Sequence, residues 1–140
     1  RALELGADPA LDPRDDGAAK QIRSKFGRGL DLALEFVGRA DTVELGLRCL
    51  DKAGRLVVVG VGMERPKLPP LAAFVGLEQA VLGSFGMDRA DIEDIYALFV
   101  AGRIDLTDSV SARYPLAEAD AALQRLASKE AGVVRVVVEP

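Results

Sequence analysis

Apolar and polar positions follow one another along the chain in a pattern that predicts alternating strands and helices. Short apolar runs bounded by glycines occur at residues 30–37, 56–61 and 80–85, and each predicts a strand. The run from Leu56 to Val61 is continuous and rich in valine, as is typical of a strand buried on both faces of a parallel sheet. Apolar residues at helical spacing lie between Asp16 and Phe26, between Asp41 and Gly54, between Asp88 and Gly102, and after Pro115. The alternation predicts an α/β fold.

Two of the predicted helices carry start signals. The segment Asp41-Thr42-Val43-Glu44 has the spacing of a capping box, with Asp41 as the N-cap and Glu44 reaching back to it. Asp88 is placed to cap the helix that ends at Gly102. A strand, a capped helix and a buried strand in succession form a βαβ unit, for which we expect parallel strands and a right-handed crossover.

The remaining segments are loops or short elements. Residues 7–12 are a short link or a strand, 63–70 hold three prolines and form a loop, 71–77 are ambiguous, 108–113 are extended, and 133–138 form a last strand. The pattern changes near residue 87. We therefore expect two parts, with buried parallel strands in residues 1–86 and a helix, extended segment, helix and edge strand in residues 87–140.

Composition and charge narrow the class of protein. Hydrophobic residues make up 49% of the chain, enough for a packed core. The 18 basic and 22 acidic residues are mixed and no basic stripe occurs, which argues against a nucleic-acid partner. All apolar runs are far shorter than the roughly 18 residues that span a bilayer. The single cysteine, Cys49, excludes an intrachain disulfide and fits a reducing compartment, so we expect a soluble cytoplasmic protein with no membrane partner.

Two features are missing from the sequence. It has no histidine, the commonest metal ligand and neutral-pH base, and no carboxylate pair has an acid–base arrangement. We therefore assign no catalytic residue and no metal ligand. The sequence also lacks an initiator methionine, and residues 1–6 have the pattern of the last turns of a helix. We expect the sequence to begin inside a longer protein.

Six sequence segments occur in a distinctive order. They are LELGAD (3–8), LEFVGRADT (34–42), GRLVVVGVG (54–62), VLGSFG (81–86), YPLAEA (114–119) and VRVVV (134–138). In this order and spacing they resemble the carboxyl-terminal part of medium-chain, zinc-type alcohol dehydrogenases. The resemblance covers nearly the whole chain, although no single segment is decisive.

The resemblance implies a Rossmann-like dinucleotide fold with strand order 3-2-1-4-5-6. Residues 1–86 would be a partial NAD(P)-binding Rossmann domain, an incomplete parallel sheet made of strand three near Leu11 and strands four to six. Residues 87–140 would be a carboxyl-terminal helix and strand segment of the catalytic domain. The first two strands, with their glycine-rich pyrophosphate turn and the acidic ribose partner, lie outside the sequence.

The resemblance also implies where a cofactor would bind: Val37, Gly38, Gly60, Val61, Gly62, Ser84, Phe85 and Arg135. The three glycines would let the backbone approach a flat ligand, or they simply end strands. Val37 would lie beside the adenosine and Val61 beside the nicotinamide, or both are ordinary core residues.

Two further site expectations concern the sixth family strand and the last strand. Backbone groups of Ser84 and Phe85 would bind the nicotinamide carboxamide, or the two residues merely end a strand with a buried aromatic ring. Arg135 would reach the cofactor pyrophosphate, as guanidinium chemistry favours, or it is an outward-facing charge on an edge strand.

The implied activity is that of a NAD(P)-dependent oxidoreductase. The cofactor would be NAD or NADP, the substrate a small alcohol or carbonyl compound, and the assembly a homodimer or homotetramer. Zinc would act in the intact enzyme through ligands outside this chain, so the chain alone would be inactive. One alternative is a zinc-free quinone or enoyl reductase of the same superfamily. An alternative of another class is a non-catalytic module that uses the sheet for association.

Overall fold

The protein forms two compact units, one ending at Gly86 and the other beginning at Met87. We describe them from a computed structural model, whose described residues are 2–128 and 130–140, without the side chain of residue 107. None of the helices in these ranges has the length and the apolar character of a bilayer-crossing helix.

The first unit is a three-stranded parallel sheet with helices. Its elements are α1 (Ala18–Phe26), β1 (Leu30–Glu35), α2 (Ala40–Cys49), β2 (Leu50–Val58), α3 (Leu71–Gly76) and β3 (Ala80–Gly83). The sheet order is β1-β2-β3, and both pairings are parallel. The α/β class and the incomplete parallel sheet are confirmed.

The core of the first unit lies between α2 and the sheet. Val43 and Leu47 of α2 pack against Leu50 and Leu56 of β2, and the two β2 leucines are completely buried. Gly46 allows this close packing, because a Cβ atom at that position would lie 2.8 Å from Leu56 Cδ1. Of the apolar run predicted as a buried strand, Leu56 lies at the centre of this core, whereas residues 57–59 are half-buried and Val61 is exposed.

The predicted ends of α2 are wrong. Its N-cap is Arg39, which makes no side-chain cap, and Asp41 lies inside the first turn. The Glu44 carboxylate does not reach back, because Oε1 instead accepts a hydrogen bond from the Lys67 backbone N–H at 2.9 Å. The helix ends at Cys49 rather than Gly54, since residues 50–55 join the sheet as the first part of β2.

The strand expected near Leu11 does not form. Residues 7–12 contain no strand, and Pro9 and Pro13 remove two of the amide donors that a strand would need. The chain turns instead at Asp12, whose carboxylate binds the Arg14 backbone N–H and guanidinium. This pairing lowers the pKa of Asp12 to about 2, mainly through the side-chain hydrogen bond.

The second unit contains two helices and a parallel pair of strands. Its elements are α4 (Arg89–Val100), β4 (Ala112–Pro115), α5 (Ala119–Ala127) and β5 (Val136–Glu139), with short 3₁₀ turns at Thr107–Ser109 and Leu116–Glu118. The predicted cap of α4 is confirmed. Asp88 accepts a hydrogen bond from the Asp91 N–H and donates its own backbone N–H to the Asp91 carboxylate.

Replacing Leu56 by alanine should destabilise the first unit by about 2–5 kcal/mol, because it leaves a cavity under α2 that the sheet cannot close. Urea unfolding measures the change. Leu82→Ala is the matched control, since Leu82 also lies in the sheet but is 47% exposed, and it should change stability by about 1 kcal/mol or less. Equal effects of the two substitutions would contradict the proposed core.

Candidate functional site

The carboxyl ends of the three parallel strands meet at one edge of the sheet. Glu35, the last residue of β1, pairs with Val58, the last residue of β2, and Val58 pairs with Gly83 at the end of β3. The Ser84 N–H donates to Val58 O at 2.9 Å and continues the ladder by one residue. The loops that follow the strands therefore leave the sheet side by side.

Three glycines lock the first two of these loops together. Gly38 has a positive φ of 78°, and a Cβ atom on it would lie 2.6 Å from Val61 C. A Cβ atom at Gly60 would lie 2.1 Å from Gly38 N, and one at Gly62 would lie 1.8 Å from Gly38 O. The close approach that these glycines permit is between the two loops themselves.

Glu35 holds both loops at their base, and its role was not identified from the sequence. Its side chain is only 5% exposed, and its Oε1 atom accepts hydrogen bonds from Val37 N at 2.8 Å, Gly38 N at 2.9 Å and Thr42 Oγ1 at 2.8 Å. Its backbone carbonyl oxygen accepts from Val59 N at 2.8 Å and Gly60 N at 3.0 Å. One residue therefore binds the polar groups of two loops.

The hydrogen bonds of Glu35 explain how a carboxylate lies in an apolar strand. A buried carboxylate is costly unless it is paired or hydrogen-bonded. Among the residues that the structure describes, no lysine or arginine pairs with it. Hydrogen bonds from two N–H groups and one O–H group therefore offset the cost of burying the carboxylate. Bonds of this charged kind contribute roughly 1.5–3 kcal/mol each. The sequence signal was an acidic residue at the end of an apolar run three positions before a glycine.

Large apolar side chains stand in solvent along the same edge. Val37 is 60% exposed, Val61 is 80% exposed and Phe85 is 93% exposed. The alternatives that the two valines are core residues and that Phe85 is buried are therefore wrong. These residues follow the strands, but apolar residues inside β1 are exposed too, since Leu32 and Leu34 are each 54% exposed. Ser84 is exposed beside Phe85.

The N-terminus of α2 lies beside these glycines, and carboxylates of the chain itself form hydrogen bonds there. Glu64 Oε2 accepts a hydrogen bond from Ala40 N at 2.7 Å. Arg39 binds the Asp41 carboxylate through Nε at 3.0 Å and Nη2 at 2.8 Å, and this hydrogen bonding lowers the pKa of Asp41. Because both side chains of this pair are well exposed, it adds little stability.

Arg135 belongs to the second unit. It lies immediately before β5 rather than inside a strand, and its carbonyl oxygen accepts from Ser111 N at 2.8 Å. Its backbone is pinned further by Ser111 Oγ, which accepts from Val134 N at 2.8 Å. Arg135 is exposed, and within the described ranges no ion pair involves its guanidinium. Seven of the eight expected site residues thus share the carboxyl edge of the first unit, and Arg135 is linked to them by the resemblance alone.

Metal-binding groups do not form a cluster in the described part of the chain. No three His, Cys, Asp or Glu side chains there are placed to hold an ion. Cys49 is buried at the end of α2, and burial raises the pKa of its thiol. The described residues therefore do not fit a zinc site.

Comparisons with known proteins all point to one family of dehydrogenases. The sequence model described as zinc-binding dehydrogenase matches residues 1–101. An alcohol dehydrogenase from Cupriavidus necator is 28% identical over 144 aligned positions, which cover 99% of this chain and 39% of that protein. The NDMA-dependent alcohol dehydrogenase from Amycolatopsis methanolica is 32% identical, over 90% of this chain and 36% of that protein.

A solved structure gives the same result for the fold. Alcohol dehydrogenase TADH from Thermus sp. ATN1 superposes with a TM-score of 0.87 at 29% identity, over 99% of this chain and 40% of that protein. The chain thus spans about 40% of the length of the relatives it matches.

Replacing Gly60 by alanine should destabilise the first unit by about 1–3 kcal/mol, because the new Cβ atom must displace the backbone of Gly38. The matched control is Gly83→Ala at the same edge, where an added Cβ atom meets nothing within 4 Å and stability should change by about 0.5 kcal/mol or less. Urea unfolding of both variants makes the comparison. If Gly60→Ala were as stable as Gly83→Ala, the two loops would not be locked as described.

Proposed function

Because the chain belongs to the zinc-binding dehydrogenase family, we propose that it is part of a NAD(P)-dependent alcohol dehydrogenase. The enzyme transfers hydride between an alcohol and the nicotinamide ring. In this proposal the first unit is the partial cofactor-binding domain, and the second is the carboxyl-terminal segment of the catalytic domain. Relatives that are named alcohol dehydrogenases support the assignment.

The observation that carries the proposal is the carboxyl edge of the parallel sheet. Ligands of open α/β sheets bind outside the carboxyl ends of the strands. Here that edge presents Val37, Val61 and Phe85 to solvent beside a rigid pair of loops. Exposed apolar side chains on a fixed backbone are suited to flat aromatic rings, and they exclude water from the face that they cover.

Each of the seven expected site residues at this edge has a role in this proposal. Val37 contacts the adenosine part and Val61 the nicotinamide part, and backbone groups of Ser84 and Phe85 orient the carboxamide. The glycines Gly38, Gly60 and Gly62 hold the two loops in the shape that receives the ligand. When bound, NAD(P) supplies the hydride acceptor or donor. The residues of this chain bind and orient it.

Zinc, substrate, assembly and location complete the proposal. The zinc of the intact enzyme is held by ligands outside this chain, which alone is inactive. The substrate is a small alcohol or carbonyl compound, and the enzyme acts in the cytoplasm as a homodimer or homotetramer. A zinc-free quinone or enoyl reductase is the nearest alternative, and metal analysis of the protein expressed from its complete gene distinguishes the two.

A second candidate function is association without catalysis. It is supported by the apolar side chains of α3 and the loop before it, since Leu68 is 55% exposed and Leu71 and Val75 are each 70% exposed. Sedimentation and cofactor titration of the same sample separate the two candidates. A stable dimer that binds no NAD(P)H would favour the association module.

Cofactor binding is tested by titrating NADH and NADPH into the protein expressed from its complete gene and following the nicotinamide fluorescence. The proposal expects saturable binding of one or both cofactors with a dissociation constant in the micromolar range. Alcohol-dependent reduction of NAD or NADP by the same sample tests the reaction. No binding of either cofactor at millimolar concentration would contradict the proposal.

Replacing Arg135 by alanine should weaken NAD(P)H binding about tenfold or more, because a guanidinium contact with a phosphate is a charge-assisted hydrogen bond. The control is Arg103→Ala, which removes the same charge from an exposed position of the same unit. Its dissociation constant should equal that of the unchanged protein. Equal affinity of the Arg135→Ala and Arg103→Ala variants would exclude Arg135 from the phosphate site.

A further inference from the structure

We infer that Glu35 is a positioning residue that sets cofactor affinity without touching the cofactor, an inference that rests on the proposed function. Its carboxylate faces away from solvent and binds Val37 N, Gly38 N and Thr42 Oγ1. Two of these donors belong to residues of the proposed cofactor site. The shape of the loop that meets the ligand therefore depends on a side chain behind it.

The same residue also fixes the second loop. Its carbonyl oxygen accepts hydrogen bonds from Val59 N and Gly60 N, so the first residues of the loop after β2 are bound to the last residue of β1. Gly60 and Gly62 then abut the backbone of Gly38, the residue that the carboxylate holds. A shift of Gly38 is therefore passed directly to the loop that carries Val61.

A need for core packing does not explain a carboxylate at this position. The buried core between α2 and the sheet is built of apolar residues, and Glu35 is not among them. A leucine in its place would leave the N–H groups of Val37 and Gly38 without their acceptor. The carboxylate thus serves the conformation of residues 36–38, and this conformation places the proposed ligand-binding residues.

The substitution Glu35→Gln tests the inference because it keeps the size of the side chain. It removes the charge. It also replaces the Oε2 atom, which accepts a hydrogen bond from Gly38 N at 3.0 Å, by an NH₂ group that cannot accept one. The dissociation constants of NADH and NADPH should rise about tenfold in the folded variant. At saturating cofactor kcat should stay within about twofold, because Glu35 does not contact reacting atoms.

The matched control is Glu78→Gln, the same chemical change at the opposite edge of the sheet, where Glu78 is exposed and pairs with Lys52 at 3.4 Å. Its cofactor affinity should be unchanged. Thr42→Val provides a milder second variant in case Glu35→Gln does not fold. It removes one donor to the carboxylate and should weaken binding about threefold.

The outcomes separate the inference from the proposed function. Cofactor binding by the unchanged protein, with weaker binding by both Glu35→Gln and Thr42→Val, supports the positioning role. Unchanged affinity in either folded variant overturns it, even if its unfolding midpoint falls, because Glu35 would then serve stability alone. Failure of the unchanged protein to bind NADH or NADPH would overturn the proposed function itself and the inference with it.

Discussion

The carboxyl edge of the first unit depends on the hydrogen bonds that converge on Glu35. Its carboxylate binds the N–H groups of Val37 and Gly38, and its carbonyl oxygen binds those of Val59 and Gly60. Loops that leave parallel strands have no ladder of their own to satisfy their polar groups. Here one residue at the end of β1 supplies the acceptors for both, and this fixes the two loops relative to the sheet.

The glycines follow from this constraint. Once Glu35 has drawn the two loops together, no side chain fits between Gly38 and the backbone of residues 60–62. The larger side chains on these loops, such as Val37 and Val61, then extend into solvent. The result is a hydrogen-bonded backbone that carries exposed apolar groups, and the proposed cofactor site is built on it.

Much of the fold could be predicted from local patterns. The valine-rich run of β2 and the cap at Asp88 depend on neighbours in sequence, so hydrophobic spacing and cap chemistry identified them. The ends of α2 could not be found in this way. Glu44 has the spacing of a capping box, but its acceptor is used by Lys67 N, which lies 23 residues away. A tertiary contact here replaced the local one.

The candidate site was predictable in part, for the same reason. The candidate residues that follow the strands were named through the family resemblance, and the structure places seven of them at one edge because the carboxyl ends of parallel strands meet there. The importance of Glu35 was not identified, because an acidic residue three positions before a glycine is too weak a signal to show what its side chain binds. Four of its five partners are backbone N–H groups, which leave no mark in a residue pattern, and the fifth is the Thr42 hydroxyl. The segment near Leu11 failed as a strand because turn-forming and proline residues dominate it.

The central claim is that Glu35 rigidly holds two loops, and amide hydrogen exchange resolved by NMR tests it most directly. The N–H groups of Val37 and Gly38 lie outside the strands, yet the account predicts that they exchange as slowly as amides within β1 and β2. The amides of the exposed residues 63–65 provide the reference for an unprotected loop. Exchange of Val37 and Gly38 as fast as this reference would contradict the account.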